Sequence, residues 1–204
     1  MNKPNITSIF WDVGAVLFSE AEISHEEFEP VRQLLGISAK RSDEIFDRLW
    51  PHHVKVGKID EDSYWKEYLK ESRNKPDIQE IKSLYRSCIR PNDELLELVK
   101  KFSRKYEQYV VSNHGKEWMD YLVSEWKLKN WFKDIFCSAY LGVAKPDKRF
   151  FKIALERAKG VGEKTLYIDD NKNNIKSAGS FGISGIVYRN NKDLFMRLSE
   201  LGIL

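Results

Sequence analysis

Apolar positions along this chain recur in three successive rhythms. Residues 6–17 begin Ile-Thr-Ser-Ile-Phe-Trp, a β-branched and aromatic run that predicts a buried strand ending near Asp12-Val13-Gly14. Over residues 18–90 the apolar positions return every three or four residues, as on one face of a helix. Ser24-His25-Glu26-Glu27 has capping-box spacing and precedes Phe28, Val31, Leu34 and Leu35, with Gly36 as a stop. Residues 42–50 repeat the pattern through Ile45, Leu49 and Trp50. A third helix opens at Asp60 with Tyr64, Trp65, Tyr68 and Leu69, and a fourth opens at Pro76-Asp77 with Ile78, Ile81, Leu84 and Tyr85.

From Pro91 the rhythm changes to helix and strand in alternation. The helical faces are Leu95, Leu96, Val99 and Phe102, then Trp118, Tyr121 and Leu122, then Phe150, Phe151, Ile153 and Ala154, then Ile175 and Ala178. Between and after them fall the strands Tyr109-Val110-Val111, Ile135-Phe136-Cys137, Leu166-Tyr167-Ile168 and Gly185-Ile186-Val187-Tyr188. Strands alternating with helices imply a mostly parallel sheet covered on both faces. The predicted fold is therefore α/β, a doubly wound sheet with an all-helical insertion after its first strand. Residues 1–17 and 91–204 form the α/β core and residues 18–90 the insertion.

Composition narrows the function. With 204 residues, 42% hydrophobic and 32% charged, the chain has the make-up of a soluble globular protein. No apolar run reaches the roughly 18 residues a membrane span requires, and no signal peptide is expected at the start. Cys88 and Cys137 stand far apart in no metal-ligand spacing, consistent with reduced thiols and a cytoplasmic protein. A net charge of +3 is too mild and too scattered to argue for nucleic acid. The partner expected is a small anionic molecule, and the assembly a monomer or homodimer.

In an open parallel sheet, ligands bind beyond the carboxyl ends of the strands. The residues there are Asp12, then Ser112-Asn113, then Asp169-Asp170, with Lys145 in the loop after the third strand. Alone, Asp12 or Ser112-Asn113 could be a turn, and Lys145-Pro146-Asp147 a helix start. Two adjacent carboxylates ending a buried strand are harder to explain without a cation. Carboxylates from two strands can hold Mg²⁺ while Asp12 attacks phosphorus, with Ser112 and Lys145 on the phosphoryl oxygens.

These motifs resemble those of the haloacid dehalogenase superfamily, in its phosphatase-rich branch with a small helical cap and a Rossmann-like core. Ile9-Phe10-Trp11-Asp12-Val13-Gly14-Ala15-Val16-Leu17 is similar to the first motif, Val110-Val111-Ser112-Asn113 to the second and Lys145-Pro146-Asp147 to the third. Tyr167-Ile168-Asp169-Asp170-Asn171 with Asn174 is similar to the fourth, and the successive separations of 100, 33 and 24 residues fit the family. The resemblance implies that Asp12 is the nucleophile and that Asp12, the Gly14 carbonyl, Asp169 and Asp170 hold Mg²⁺. It also implies that Ser112, Asn113 and Lys145 bind phosphate, with residues 18–90 as the cap over a small phosphorylated metabolite.

One position departs from the family pattern. Gly14 stands where the usual second aspartate protonates the leaving group, and such help is typically worth about 10²–10⁴-fold in rate. Asp-x-Gly-x-Val also resembles relatives that hydrolyse sugar 1-phosphates, whose leaving groups need that acid less. His114, or His52-His53 in the insertion, are candidate substitutes for it. A silent relative that binds a phosphorylated ligand or partner is an alternative reading. A 2-haloacid dehalogenase is another, opposed by the excess of carboxylates. Trp11, Trp50, Trp65, Trp118, Trp126 and Trp131 read as packing residues.

Overall fold

The computed structural model describes residues 5–19 and 25–204. Strand β1 (Ser8–Trp11) is followed by helices α1 (Glu29–Leu35), α2 (Ala39–Leu49), α3 (Glu61–Glu71), α4 (Ile78–Cys88) and α5 (Asp93–Phe102). Then come β2 (Glu107–Ser112), α6 (Lys116–Glu125), β3 (Asp134–Cys137), α7 (Ser138–Leu141) and α8 (Lys148–Ala158). The chain closes with β4 (Thr165–Asp169), α9 (Lys172–Gly179), β5 (Ser184–Val187) and α10 (Asn191–Glu200).

The five strands make one sheet in the order β3-β2-β1-β4-β5, and every pairing is parallel. Strand alternation divides the buried side chains between two faces. Ile9, Trp11, Val110, Ile168 and Ile186 meet α5, α6 and α10 on one side. Phe10, Tyr109, Val111, Phe136 and Tyr167 meet α8 and α9 on the other. The sheet is thus doubly wound, as the rhythm of the sequence predicts.

The first strand is shorter than its apolar run: pairing stops at Trp11, and residues 12–18 fold into a tight turn. Phe18, Val16 and Leu17 are buried there without ladder partners from β2 or β4, so their hydrophobicity reflects packing and not strand. Helix α2 begins earlier than its periodicity suggests, because Ser38 accepts a hydrogen bond from the Arg41 N–H and caps it. The predicted stop at Gly36 is present, with φ 64° in the left-handed region that glycine tolerates. Ser24 of the expected capping box lies outside the described residues.

The helices from α1 to α4 bury their own aromatic core, including Phe28, Tyr64, Trp65, Tyr68 and Tyr85. Trp118 of α6 joins that cluster from the sheet side. The chain leaves the sheet and returns to it at adjacent points. Ser19 N–H donates to the Arg90 carbonyl at 2.8 Å, and Asn92 N–H donates to the Leu17 carbonyl at 2.9 Å. The helical stretch is therefore tethered through two neighbouring segments and faces the carboxyl end of the sheet.

Candidate active site

Strand geometry brings the chemistry together. Asp12 is the first residue past β1, and its N–H still donates to the Ile168 carbonyl of β4 at 2.9 Å. Asp169 ends β4, Ser112 ends β2, and Lys145 lies in the loop between α7 and α8. That loop is clamped by Asn113, whose Oδ1 accepts from the Lys145 N–H at 2.8 Å and whose Nδ2 donates to the Lys145 carbonyl at 2.9 Å. Asn113 therefore spends its acceptor and one donor on holding Lys145 in place.

Lys145 is the hub of the cluster. Its ammonium stands 2.9 Å from Asp12 Oδ1 and 2.7 Å from Asp169 Oδ2, and it donates to the Val111 carbonyl at 2.8 Å. Burial works against its charge, but Asp12 and Asp169 outweigh that and hold its pKa above the ordinary lysine value. Burial, aided by the charge of Asp169, pushes the Asp12 carboxyl well above the usual carboxylate range. Burial likewise opposes the charge of Asp169, yet the Lys145 charge and the donors around this carboxyl keep it below its usual value. One ammonium between two buried carboxylates thus stabilises Asp169 as the anion and leaves Asp12 short of positive charge.

The Asp169 carboxylate has almost no free lone pairs. Oδ1 accepts from Asn171 N–H at 2.7 Å and Asn174 Nδ2 at 3.0 Å. Oδ2 accepts from Lys145, from the Tyr167 hydroxyl and from Asn174 Nδ2 at 3.1 Å. Tyr167 could be anticipated, since residues two apart on a strand share a face. Asp12 Oδ1 accepts from the Val13 N–H at 2.7 Å. Partial burial, then the charge of Asp169, raises the pKa of Asp170.

Ser112 is buried, and its Oγ finds no hydrogen-bond partner among the described residues. Asp12, Asp169 and Asp170 each offer a carboxylate oxygen within 4.8 Å of the others. Asp12 and Asp170 bring hard oxygen donors together beside the committed Asp169, and three carboxylates against one lysine leave a shortage of positive charge that fits a magnesium-like cation. The orphaned Ser112 hydroxyl fits an anion oxygen beside it.

A cavity of about 220 Å³ opens over this cluster. Asp12, Gly14, Asn113, Lys145, Asp170, Asn171 and Asn174 line its polar side. Phe46, Trp50 and His114 line the rest. Of the histidines considered as substitutes for the missing acid, His114 borders the cavity, whereas His52 and His53 are exposed and outside its lining. Burial pushes the His114 imidazole down to about 4. Trp50 is not packing alone, as its helical spacing suggests, because it also faces the cavity.

Fold and cluster together are those of a doubly wound α/β protein with an acidic, lysine-bearing site on the carboxyl edge of its parallel sheet. The chain belongs to the haloacid dehalogenase-like hydrolase family, which it matches over residues 9–188. It is similar to the chloroplast flavin mononucleotide hydrolase 1 of Arabidopsis thaliana, 28% identical over 151 residues covering 72% of this chain. The match spans 60% of that protein's length. A sesquiterpene phosphatase of Aspergillus oryzae is 26% identical over 201 residues, 94% of each chain. The same fold appears in a HAD-family enzyme of Bacteroides thetaiotaomicron solved with magnesium and inorganic phosphate. It aligns with a TM-score of 0.76 at 22% identity, over 93% of this chain and 99% of that one. No helix among the described residues is long and apolar enough to cross a membrane.

Proposed function

We propose that this chain is a magnesium-dependent phosphatase acting on a small phosphorylated metabolite through an aspartyl-phosphate on Asp12. The observation that carries this reading is the convergence of Asp12, Lys145, Asp169 and Asp170 at one edge, with Lys145 within 2.9 Å of two carboxylates. Two relatives bear the names of a flavin mononucleotide hydrolase and a sesquiterpene phosphatase, and a structural neighbour holds magnesium with phosphate, which supports the same reading.

Asp12, Asp170 and the Gly14 carbonyl would hold the cation, with Asp169 behind them because its oxygens are committed to other donors. The bound cation supplies positive charge to the phosphoryl oxygens. Asp12 is anchored through Oδ1, and its second oxygen attacks phosphorus while the ester P–O bond breaks. Lys145 and the Ser112 hydroxyl stabilise the charge spread over the phosphoryl oxygens. Water then attacks phosphorus, releasing inorganic phosphate and restoring the Asp12 carboxylate. Residues 18–90 act as the cap, tethered at Ser19 and Arg90, and select the leaving group.

With Gly14 in place of the acid, the leaving group departs without a proton from that position. Gly14 also favours a second reading, a catalytically silent relative that binds a phosphorylated ligand or partner without turning it over. Hydrolysis of para-nitrophenyl phosphate separates the two, because that leaving group needs no proton. Turnover with Mg²⁺ that EDTA abolishes is expected of the phosphatase. Magnesium-linked thermal stabilisation without turnover would establish the silent relative instead.

A further inference from the structure

The part of the cavity that faces the helical stretch is aromatic. Phe46 and Trp50 lie one helical turn apart, their rings stacked with centroids 5.2 Å apart and planes 15° apart. Both are only half-buried, and Phe46 belongs to none of the hydrophobic clusters that fill the interior. Trp50 meets the His114 ring edge-on at 5.9 Å. A half-exposed stacked pair bordering a polar cavity leaves ring surface for something else to cover.

Phosphate is a poor occupant of that wall. The face of an aromatic ring carries negative charge density and repels an anion. The cationic and hydrogen-bonding groups that suit phosphate, Lys145, Asn113 and Ser112, belong to the sheet side. A polyol covers that wall less fully, because only its C–H faces suit the rings. Among the described residues the helical stretch gives the cavity Phe46 and Trp50, and the indole N–H is the one polar group those two side chains bring. Most sugar hydroxyls would be desolvated there without partners. The cavity of about 220 Å³ is smaller than the roughly 300–1,000 Å³ of drug-sized sites, so it suits a phosphoryl group and one compact ring.

We propose that Phe46, Trp50 and His114 form the leaving-group subsite, and that the substrates are phosphomonoesters whose alcohol carries a compact, flat, apolar ring. The inference rests on the phosphatase reading and narrows it away from the sugar 1-phosphates that the first motif suggests. The buried Nδ1 of His114 has no hydrogen-bond partner among the described residues. Burial keeps that imidazole neutral near pH 7, so it adds no competing attraction for the phosphate.

The test uses phosphonates, which bind without a leaving-group step. Dissociation constants for methylphosphonate, 2-hydroxyethylphosphonate and benzylphosphonate are measured by calorimetry with Mg²⁺ in the wild type, Phe46→Ala and Trp50→Leu. Each aromatic contact is worth about 2- to 12-fold in affinity. Benzylphosphonate is therefore expected to bind about 10-fold or more tightly than the other two. Each variant, with its fold checked by circular dichroism, should narrow that gap several-fold. Equal binding of all three by the wild type, or a gap that both variants preserve, would overturn the subsite. Preference for the hydroxyethyl compound would do the same. If none of the phosphonates nor inorganic phosphate binds, the phosphatase reading fails and the inference falls with it. If methylphosphonate binds and the ring adds nothing, the inference alone fails.

Discussion

Replacing Lys145 by methionine tests the electrostatic design of the site without any assumption about substrate. The substitution keeps an unbranched side chain of similar length and removes the charge. It takes the ammonium from between Asp12 Oδ1 and Asp169 Oδ2, 2.9 and 2.7 Å away, and leaves the Val111 carbonyl without its donor. Removing one partner of a buried ion pair typically costs about 3–5 kcal/mol, because the remaining charge stays buried and uncompensated. At about 2–4 °C per kcal/mol for a domain of this size, the midpoint of thermal unfolding should fall by about 6–20 °C at pH 8. The pH dependence has a definite sign. Without Lys145 the Asp12 pKa rises further above its unfolded value and Asp169 loses the charge that holds it below its own, so the folded variant binds more protons and its stability is lost as pH rises. The deficit should therefore shrink between pH 8 and pH 5. Mg²⁺ should also recover part of it by supplying positive charge to the same oxygens. Circular dichroism melts at the two pH values, with and without Mg²⁺, measure all of this. A variant within about 1 kcal/mol of wild type at pH 8, or a deficit that grows on acidification, would refute the reasoning.

Three further outcomes follow from particular residues. His114 is held near pKa 4 in the fold against 6.5 unfolded, so the unfolded chain binds more protons below pH 6.5 and stability falls on acidification. His114→Gln should remove about 2 kcal/mol of the stability lost between pH 8 and pH 5, read by urea unfolding, and an unchanged pH slope would contradict it. Gly162→Ala would set a Cβ 1.8 Å from the Phe181 carbonyl oxygen, so it should cost about 1–3 kcal/mol or more in the same assay. Unchanged stability would show that the backbone there yields freely. Gly14→Asp should raise kcat/KM for benzyl phosphate relative to para-nitrophenyl phosphate, approaching the about 10²-fold low end of general acid catalysis. An unaltered ratio would show that position 14 cannot deliver a proton here.

Most of the architecture was legible because alternation and helical spacing are local signals. The strands after β1 fall where β-branched and aromatic runs predict them, and the helices where apolar residues repeat at three and four. The turn over residues 12–18 was not legible as a turn, because its apolar residues are buried for packing and read like the strand before them. Helix α10 lies beyond the predicted elements, although Leu194 and Leu198 mark its buried face four residues apart. At the site, Asp12, Lys145 and Asp169 could be grouped because each follows a strand or its loop at the same edge of the sheet. The division of labour among them was not readable. That Asn113 clamps the Lys145 backbone, and that Asp169 is saturated by Lys145, Tyr167, Asn171 and Asn174, depends on side-chain geometry across distant segments. Phe46 and Trp50 eluded the sequence for a related reason. Aromatic residues four apart on a helix have the same spacing whether they face a core or a cavity.

The account turns on covalent chemistry at Asp12. Its most direct test is single turnover of para-nitrophenyl phosphate with Mg²⁺, quenched in acid, digested and mapped by mass spectrometry. The expected result is a phosphoryl group on the peptide that contains Asp12, formed and lost at rates consistent with turnover, and absent in Asp12→Asn. Phosphate release by the wild type with no label at Asp12, or undiminished turnover in the variant, would contradict the central claim.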